Sequence, residues 1–241
     1  MEFIEFKDKL YACFEENGVK DLLNEQKAQK IFDFAKILVD TNKVMNLTAI
    51  TDMDGIIFKH FCDCAMVCKH IGGGQSVIDV GCGAGFPSLP LSILREDLQI
   101  TALDSTTKKV EFIKKTAEEL KLDNICAISA RAEQFAQKNR ESFDFATSRA
   151  VARLNILCEL CIPLVKVGGK FVPMKASKAD EELAEALKGI KTLGGELIST
   201  DSYTLTNRGE SLERHIFEII KAQKTNPKYP REYKQMLKKP L

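Results

Sequence analysis

A chain of 241 residues, 44% of them hydrophobic, can bury one full core and carry a small appendage. No apolar run approaches the ~20 residues of a membrane span, and the acids within residues 1–10 do not fit a secretory leader, so a cytoplasmic protein is expected. The net charge of +1 conceals an asymmetry: residues 221–241 hold seven Lys or Arg against one acid, Glu232, which suggests a polyanionic partner such as nucleic acid.

In chain order, Phe3, Phe6, Leu10, Cys13 and Phe14 recur at helical spacing, as do Ile31, Phe34, Ala35, Leu38 and Val39. A polar break over residues 42–48 precedes a third helix, expected over about 52–71 with Thr51 or Asp52 as its cap. His60, Cys62, Cys64, Cys68 and His70 lie in it, but Cys62 falls off the face that Cys64 and Cys68 share, and no second Cys-x-x-Cys pair is near. Cys158-x-x-Cys161 sits in an apolar helix that ends at Pro163. Packing is the expected role of both groups, no metal is expected, and the eight cysteines are read as reduced thiols. Gly72-Gly73-Gly74 marks a hinge-like boundary.

Beyond it Val77, Ile78 and Val80 form a short β-branched strand that runs into Gly81-x-Gly83-x-Gly85, with Pro87 opening a helix over about 87–95. Strand, glycine loop and helix form a nucleotide-binding unit in which the backbone can approach a ligand closely. A dinucleotide fingerprint needs a third glycine at position 86, where this chain has Phe86. Asp79 ahead of the loop would repel a pyrophosphate and suit an ammonium group. Both features favour S-adenosylmethionine over a nicotinamide dinucleotide. A second strand, 98–103, ends at Asp104, where a carboxylate can bond a ribose diol; Asp104 or Ser105 could equally cap the following helix, 108–120. Strands at 125–129, 143–147 and 170–174 follow, with helices over about 153–166 and 178–192. Two last strands, 196–205 and 213–221, are too closely joined for a parallel crossover. The expected fold is α/β, Rossmann-like: a seven-stranded, mostly parallel sheet with an antiparallel edge. It divides into an N-terminal helical cap (1–72), a ligand-binding domain (73–222) and a basic C-terminal tail (223–241).

Several blocks then form a pattern: Asn46-Leu-Thr48, Lys59-His60-Phe-x-Asp63, Asp79-Val-Gly-Cys-Gly-Ala-Gly-Phe-Pro-Ser-Leu-Pro90, Leu103-Asp-Ser105, Arg131-Ala-Glu133, Ser148-Arg-Ala-Val-Ala152, Arg214-His215, Tyr229-Pro-Arg231 and Lys239-Pro-Leu241. In this order, over nearly the whole chain, they resemble the RsmG (GidB) family of small-subunit ribosomal RNA guanine-N7 methyltransferases. The resemblance implies a class I methyltransferase in which Gly81, Gly83, Gly85 and Phe86 line the methionine and ribose side of S-adenosylmethionine. Asp104, with Ser105 beside it, would hold the ribose, and Ala132 and Glu133 the adenine end. Arg149 would stand where methyl donor and base meet, as a catalytic residue that also touches the cofactor, although a surface salt bridge is its plain alternative. Lys59, His60, Arg153, Lys175, Arg214, Lys228, Arg231, Lys238 and Lys239 would grip the RNA. Lys234 and Met236 stand where the family tail often has Gly and Pro, so tail contacts carry over less directly.

Guanine N7 has a free lone pair and no proton, so its methylation needs placement rather than a general base. Duplex RNA hides N7 in its deep major groove, so the implied target is a loop or folded guanine in small-subunit RNA or a 30S particle, met by a monomer. Other readings are a methyltransferase of the same fold for a small molecule or protein, and a non-catalytic RNA-binding assembly factor.

Overall fold

The apolar spacing of the first 70 residues becomes three helical stretches packed on one face of the sheet. In the computed structural model, which describes residues 1–176 and 178–241, α1 (Phe3–Glu16) buries Phe6, Leu10, Cys13 and Phe14, and α2 (Glu25–Met45) buries Ile31, Phe34, Ala35 and Leu38. The Asn24 side chain caps α2 by accepting the Lys27 N–H, and Asn46 closes it in the left-handed region. The third stretch is less regular than its sequence suggests. It opens as α3 (Met53–Ile56), capped by Asp52, widens into a π turn over Ile57–Cys62, resumes as α4 (Asp63–Met66) and tightens into a 3₁₀ turn over Val67–His70. The wide turn sets Lys59, His60 and Asp63 against the end of the fourth strand.

The sheet comprises β1 (Ser76–Val80), β2 (Gln99–Asp104), β3 (Ile125–Ser129), β4 (Phe143–Arg149), β5 (Val165–Lys175), β6 (Gly195–Asn207) and β7 (Glu210–Lys221), in the order 3-2-1-4-5-7-6. The first five are parallel, and β7 runs antiparallel between β5 and β6. A tight Arg208-Gly209 turn, both residues at positive φ, joins β6 to β7. Between the strands lie α5 (Ser88–Leu94), α6 (Thr107–Glu119), α7 (Ala132–Lys138), α8 (Leu154–Cys161) and α9 (Ala179–Thr192); α10 (Tyr233–Lys238) follows the sheet. Pro163 ends the helical run early, and β5 begins at Val165, well before the expected 170. Gly168 at φ 89 accommodates an irregularity in the β4–β5 register that periodicity alone could not place.

Two apolar clusters fill the two faces. The first joins Phe6, Phe34 and Phe61 of the helical cap to Val77, Leu89 and Ile113, so residues 1–72 share a core with the sheet. The second contains Ile78, Phe171 and the α8 side chains together with Tyr229 and Met236 of the C-terminal segment. That segment is docked rather than free. Just ahead of it Lys221, the last residue of β7, is 1% exposed and donates to the Ile162 carbonyl at 2.7 Å and to Thr225 Oγ1 of the segment at 2.5 Å; burial lowers its ammonium pKa to about 8. Among the described residues, no helix is long and apolar enough to cross a membrane.

Candidate active site

Parallel strands leave a crevice at their carboxyl ends, and here β1, β2 and β3 open into a cavity of about 500 Å³. Gly81 and Gly83 line it at φ 77 and 56. At Gly83 a Cβ would meet no atom within 4 Å among the described residues other than its chain neighbours, whereas at Gly81 it would collide with Val151. The Gly83 N–H donates to Asp104 Oδ2 at 3.0 Å and the Thr106 N–H to Oδ1 at 2.8 Å, so loop and strand end fix one another. Each Asp104 oxygen keeps lone-pair capacity for a ligand hydroxyl. Ser105, Phe86, Ala132 and the nearly buried Glu133 line the same space. Cys82, Thr106, Lys109, Arg131 and Tyr233 also line it, and none of the five was among the residues expected at the ligand. Open backbone at Gly83, an acceptor pair at the end of β2 and no crowding between them fit a nucleoside with a ribose diol, as S-adenosylmethionine has.

Two residues expected at this ligand lie elsewhere. Asp79 is fully buried beneath the loop and does not line the cavity. Its Oδ2 accepts the Ser88 N–H at 3.1 Å at the start of α5, its Oδ1 has no partner among the described residues, and burial pushes the carboxyl up to about 7. It holds the strand-to-helix turn instead of meeting an ammonium group. Gly85, at φ 88, does not line the cavity; a Cβ there would strike Leu89. It serves close packing of the loop against α5.

A second cavity, of about 680 Å³, adjoins the first and shares His60, Arg149, Ala150 and Val151 with it. Arg149 ends β4 and is held on three sides. Nη1 donates to the Lys59 carbonyl at 3.1 Å and to Asp63 Oδ2 at 3.2 Å, and Nη2 reaches His60 Nδ1 at 3.2 Å. Its guanidinium lies 5.2 Å from the Phe86 ring centroid. Asp63, 4% exposed, uses its other oxygen to accept from Arg214 Nε at 3.0 Å. One buried carboxylate thus fixes two arginines from β4 and β7. His60 Nδ1 lies 3.1 Å from the Lys59 carbonyl as well as 3.2 Å from Arg149 Nη2, and Nε2 lies 2.9 Å from Thr48 Oγ1. Asn42 in turn clasps Thr48 through its N–H and carbonyl, at 2.9 and 2.8 Å. The His60 ring stacks on Phe86 at 4.4 Å.

These contacts revise several expected RNA grips. His60 is buried, and desolvation together with the neighbouring Arg149 lowers its pKa to about 3, so it is a neutral wall and no phosphate clamp. Arg153 lies outside both cavities, paired with Glu181 and Glu185 of α9. Arg231 is spent on a bidentate pair with Glu159, which is 1% exposed. Lys175 lines the second cavity but is bound to Glu182 at 2.6 Å and to the Ala152 carbonyl at 2.8 Å. Arg214 lines it too, held by Asp63, and Lys59 pairs at its edge with Glu210 at 2.7 Å. Lys228, Lys238 and Lys239 are exposed on the C-terminal segment.

Comparison with known proteins fits this geometry. Residues 27–217 match the GidB family, rRNA small subunit methyltransferase G. The ribosomal RNA small subunit methyltransferase G of Staphylococcus carnosus is 43% identical, covering 91% of this chain and 92% of that protein. The one of Halalkalibacterium halodurans is 42% identical with 100% of both chains covered. Among solved structures, M. jannaschii TYW2 in complex with AdoMet superposes with a TM-score of 0.54 at 15% identity, over 66% of this chain and 74% of that one. The YcgJ protein of Bacillus subtilis gives 0.53 at 16%, over 68% and 100%. The two structures share the fold, and the full-length relatives narrow it further: the chain belongs to the rRNA small subunit methyltransferase G family of S-adenosylmethionine-dependent methyltransferases.

Proposed function

We propose that this chain methylates N7 of one guanine in small-subunit ribosomal RNA, acting as a cytoplasmic monomer on the 30S particle. The observation that carries the reading is the junction of two cavities at Arg149, Ala150 and Val151. One cavity is suited to a nucleoside cofactor; the other is bordered by Lys59, Lys175 and Arg214. Bound S-adenosylmethionine supplies an electrophilic methyl group on a sulfonium. Asp104, Ser105 and the Gly81–Gly83 backbone hold its ribose side, and Ala132 and Glu133 its adenine side. Phe86 and Val151 shield the junction from water. Arg149, fixed by Asp63, His60 and the Lys59 carbonyl, orients the incoming base or its phosphate.

The protonation chemistry of the junction supports N7 over an amine. Methylating an exocyclic amine requires a proton to leave, whereas N7 loses none. His60 is already engaged by Arg149 and binds a proton only near pH 3, and both oxygens of Asp63 accept from arginines. Neither is free to act as a base. The exposed Lys228, Lys238 and Lys239 extend the cationic surface for phosphates. The helical cap (1–72) and the sheet domain (73–222) then share the substrate wall, the sheet domain supplies most of the cofactor wall, and the C-terminal segment (223–241) flanks it.

The test is transfer of labelled methyl from S-adenosylmethionine to 30S particles, followed by nucleoside analysis. Label in 7-methylguanosine at a single position is expected. Label in another nucleoside overturns the N7 assignment, and label only in proteins or small metabolites overturns the substrate.

A further inference from the structure

The C-terminal segment brings an aromatic ring to a cavity otherwise built from strand ends. Residues 233–238 contain neither Gly nor Pro and lie between Pro230 and Pro240, so a short helix fits there. Its position is fixed at both ends. The Arg231 guanidinium bonds Glu159 through Nε at 2.8 Å and Nη2 at 2.6 Å, and the Arg231 N–H donates to the same carboxylate at 2.8 Å. Arg231 Nη1 donates to the Lys239 carbonyl at 3.0 Å, closing the segment on itself. Met236 is fully buried against α8 and its neighbours. With these anchors set, Tyr233 lines the first cavity beside Ala130, Arg131, Ala132, Glu133 and Leu160. The Arg131 guanidinium lies 5.2 Å from its ring centroid and pairs with Glu133 at 3.4 Å.

The sheet order says which part of a ligand this ring would meet. β1 carries the glycine loop, β2 carries Asp104, and β3 lies beyond β2. A nucleoside held at its ribose by Asp104 extends its base toward the end of β3, where Tyr233 stands. We propose that Tyr233 is a cofactor-binding residue that forms an aromatic wall for the adenine ring of S-adenosylmethionine. The proposal rests on the cofactor reading and adds a contact supplied by a segment distant from every glycine-loop motif. Through Tyr233, docking of the C-terminal segment and binding of the adenosyl group stabilise one another.

The chain has no Trp and four Tyr, so the difference in emission between the wild type and Tyr233→Phe isolates this ring. Full-length protein is titrated with S-adenosylhomocysteine and with adenosine, by calorimetry and by emission. The wild type should bind both with quenching. Tyr233→Phe should keep the affinity and lose most of the quenching, whereas Tyr233→Ala should bind both ligands roughly three- to tenfold more weakly. Equal affinity and equal quenching in wild type and both variants would overturn the role of Tyr233 and leave the cofactor site standing. No binding of either ligand by the wild type would overturn the cofactor reading itself. Loss of affinity for small-subunit RNA alone in Tyr233→Ala would assign the ring to an RNA base and overturn the proposal.

Discussion

The two walls of the crevice are built by different means. The glycine-loop wall is made of backbone: Gly83 and Thr106 amides hold Asp104, and neighbouring strand ends set the spacing. The arginine wall is made of charge holding charge: Asp63 from the helical cap fixes Arg149 of β4 and Arg214 of β7, and His60 and Thr48 tie that group back to Asn42. The first wall depends on contacts close in sequence. The second depends on partners more than eighty residues apart. A change on the backbone-built wall should stay local and act on the cofactor alone, and a charge-built wall should fail as a unit.

Asp63→Asn should therefore show the largest effect. Removing one buried carboxylate leaves two partly buried arginines uncompensated, at a cost of about 3 kcal/mol in stability. Methyl transfer should fall about 100-fold or more, while affinity for S-adenosylmethionine, measured by calorimetry, stays within about threefold. On the other wall, Asp104→Ala should act on the cofactor alone, weakening its binding about 10- to 100-fold through the lost charge-assisted bonds, with the KM for RNA unchanged.

Asp79 offers a test by pH. Its folded-state pKa of about 7 lies above the ordinary carboxylate value, so its ionisation opposes folding. The cost is absent below the unfolded pKa near 3.8, grows through the window from about 4 to 7 and is complete above it. Between pH 5 and pH 8, thermal unfolding should show Asp79→Asn gaining on the wild type by on the order of 2 kcal/mol. A gap independent of pH would mean that the carboxylate is not the buried acid described above. The smallest effect belongs to the surface: Lys238→Ala with Lys239→Ala should lower the salt dependence of RNA binding by about one to two in log–log slope, and Arg153→Ala, already paired, should leave it unchanged.

The contrast between the walls also explains what could be read in advance. The succession of strands along the chain, the antiparallel edge, Gly81, Gly83 and Asp104 follow from short-range signals, namely β-branched runs, a glycine loop and an acid about twenty residues further on. Asp79 and Gly85 belong to the same local motif, but a motif does not distinguish a residue that faces the ligand from one beneath it. Counting cations in the sequence overestimated the free positive charge. Arg153, Lys175, Arg214 and Arg231 each have a carboxylate partner that only the fold brings near. Helical periodicity could not show the π turn at Ile57–Cys62, whose Lys59 carbonyl accepts from Arg149, a partner ninety residues away in sequence. Tyr233 escaped for the same reason, since nothing in a basic tail shows where it docks.

The central claim is that Arg149 stands where cofactor and substrate cavities meet and serves transfer rather than cofactor binding. It is tested most directly by single-turnover methyl transfer with Arg149→Ala at saturating S-adenosylmethionine and saturating 30S particles. The account predicts a rate lowered about 100-fold or more, with cofactor affinity within about twofold of the wild type. An unchanged rate, or a loss confined to cofactor affinity, would contradict it.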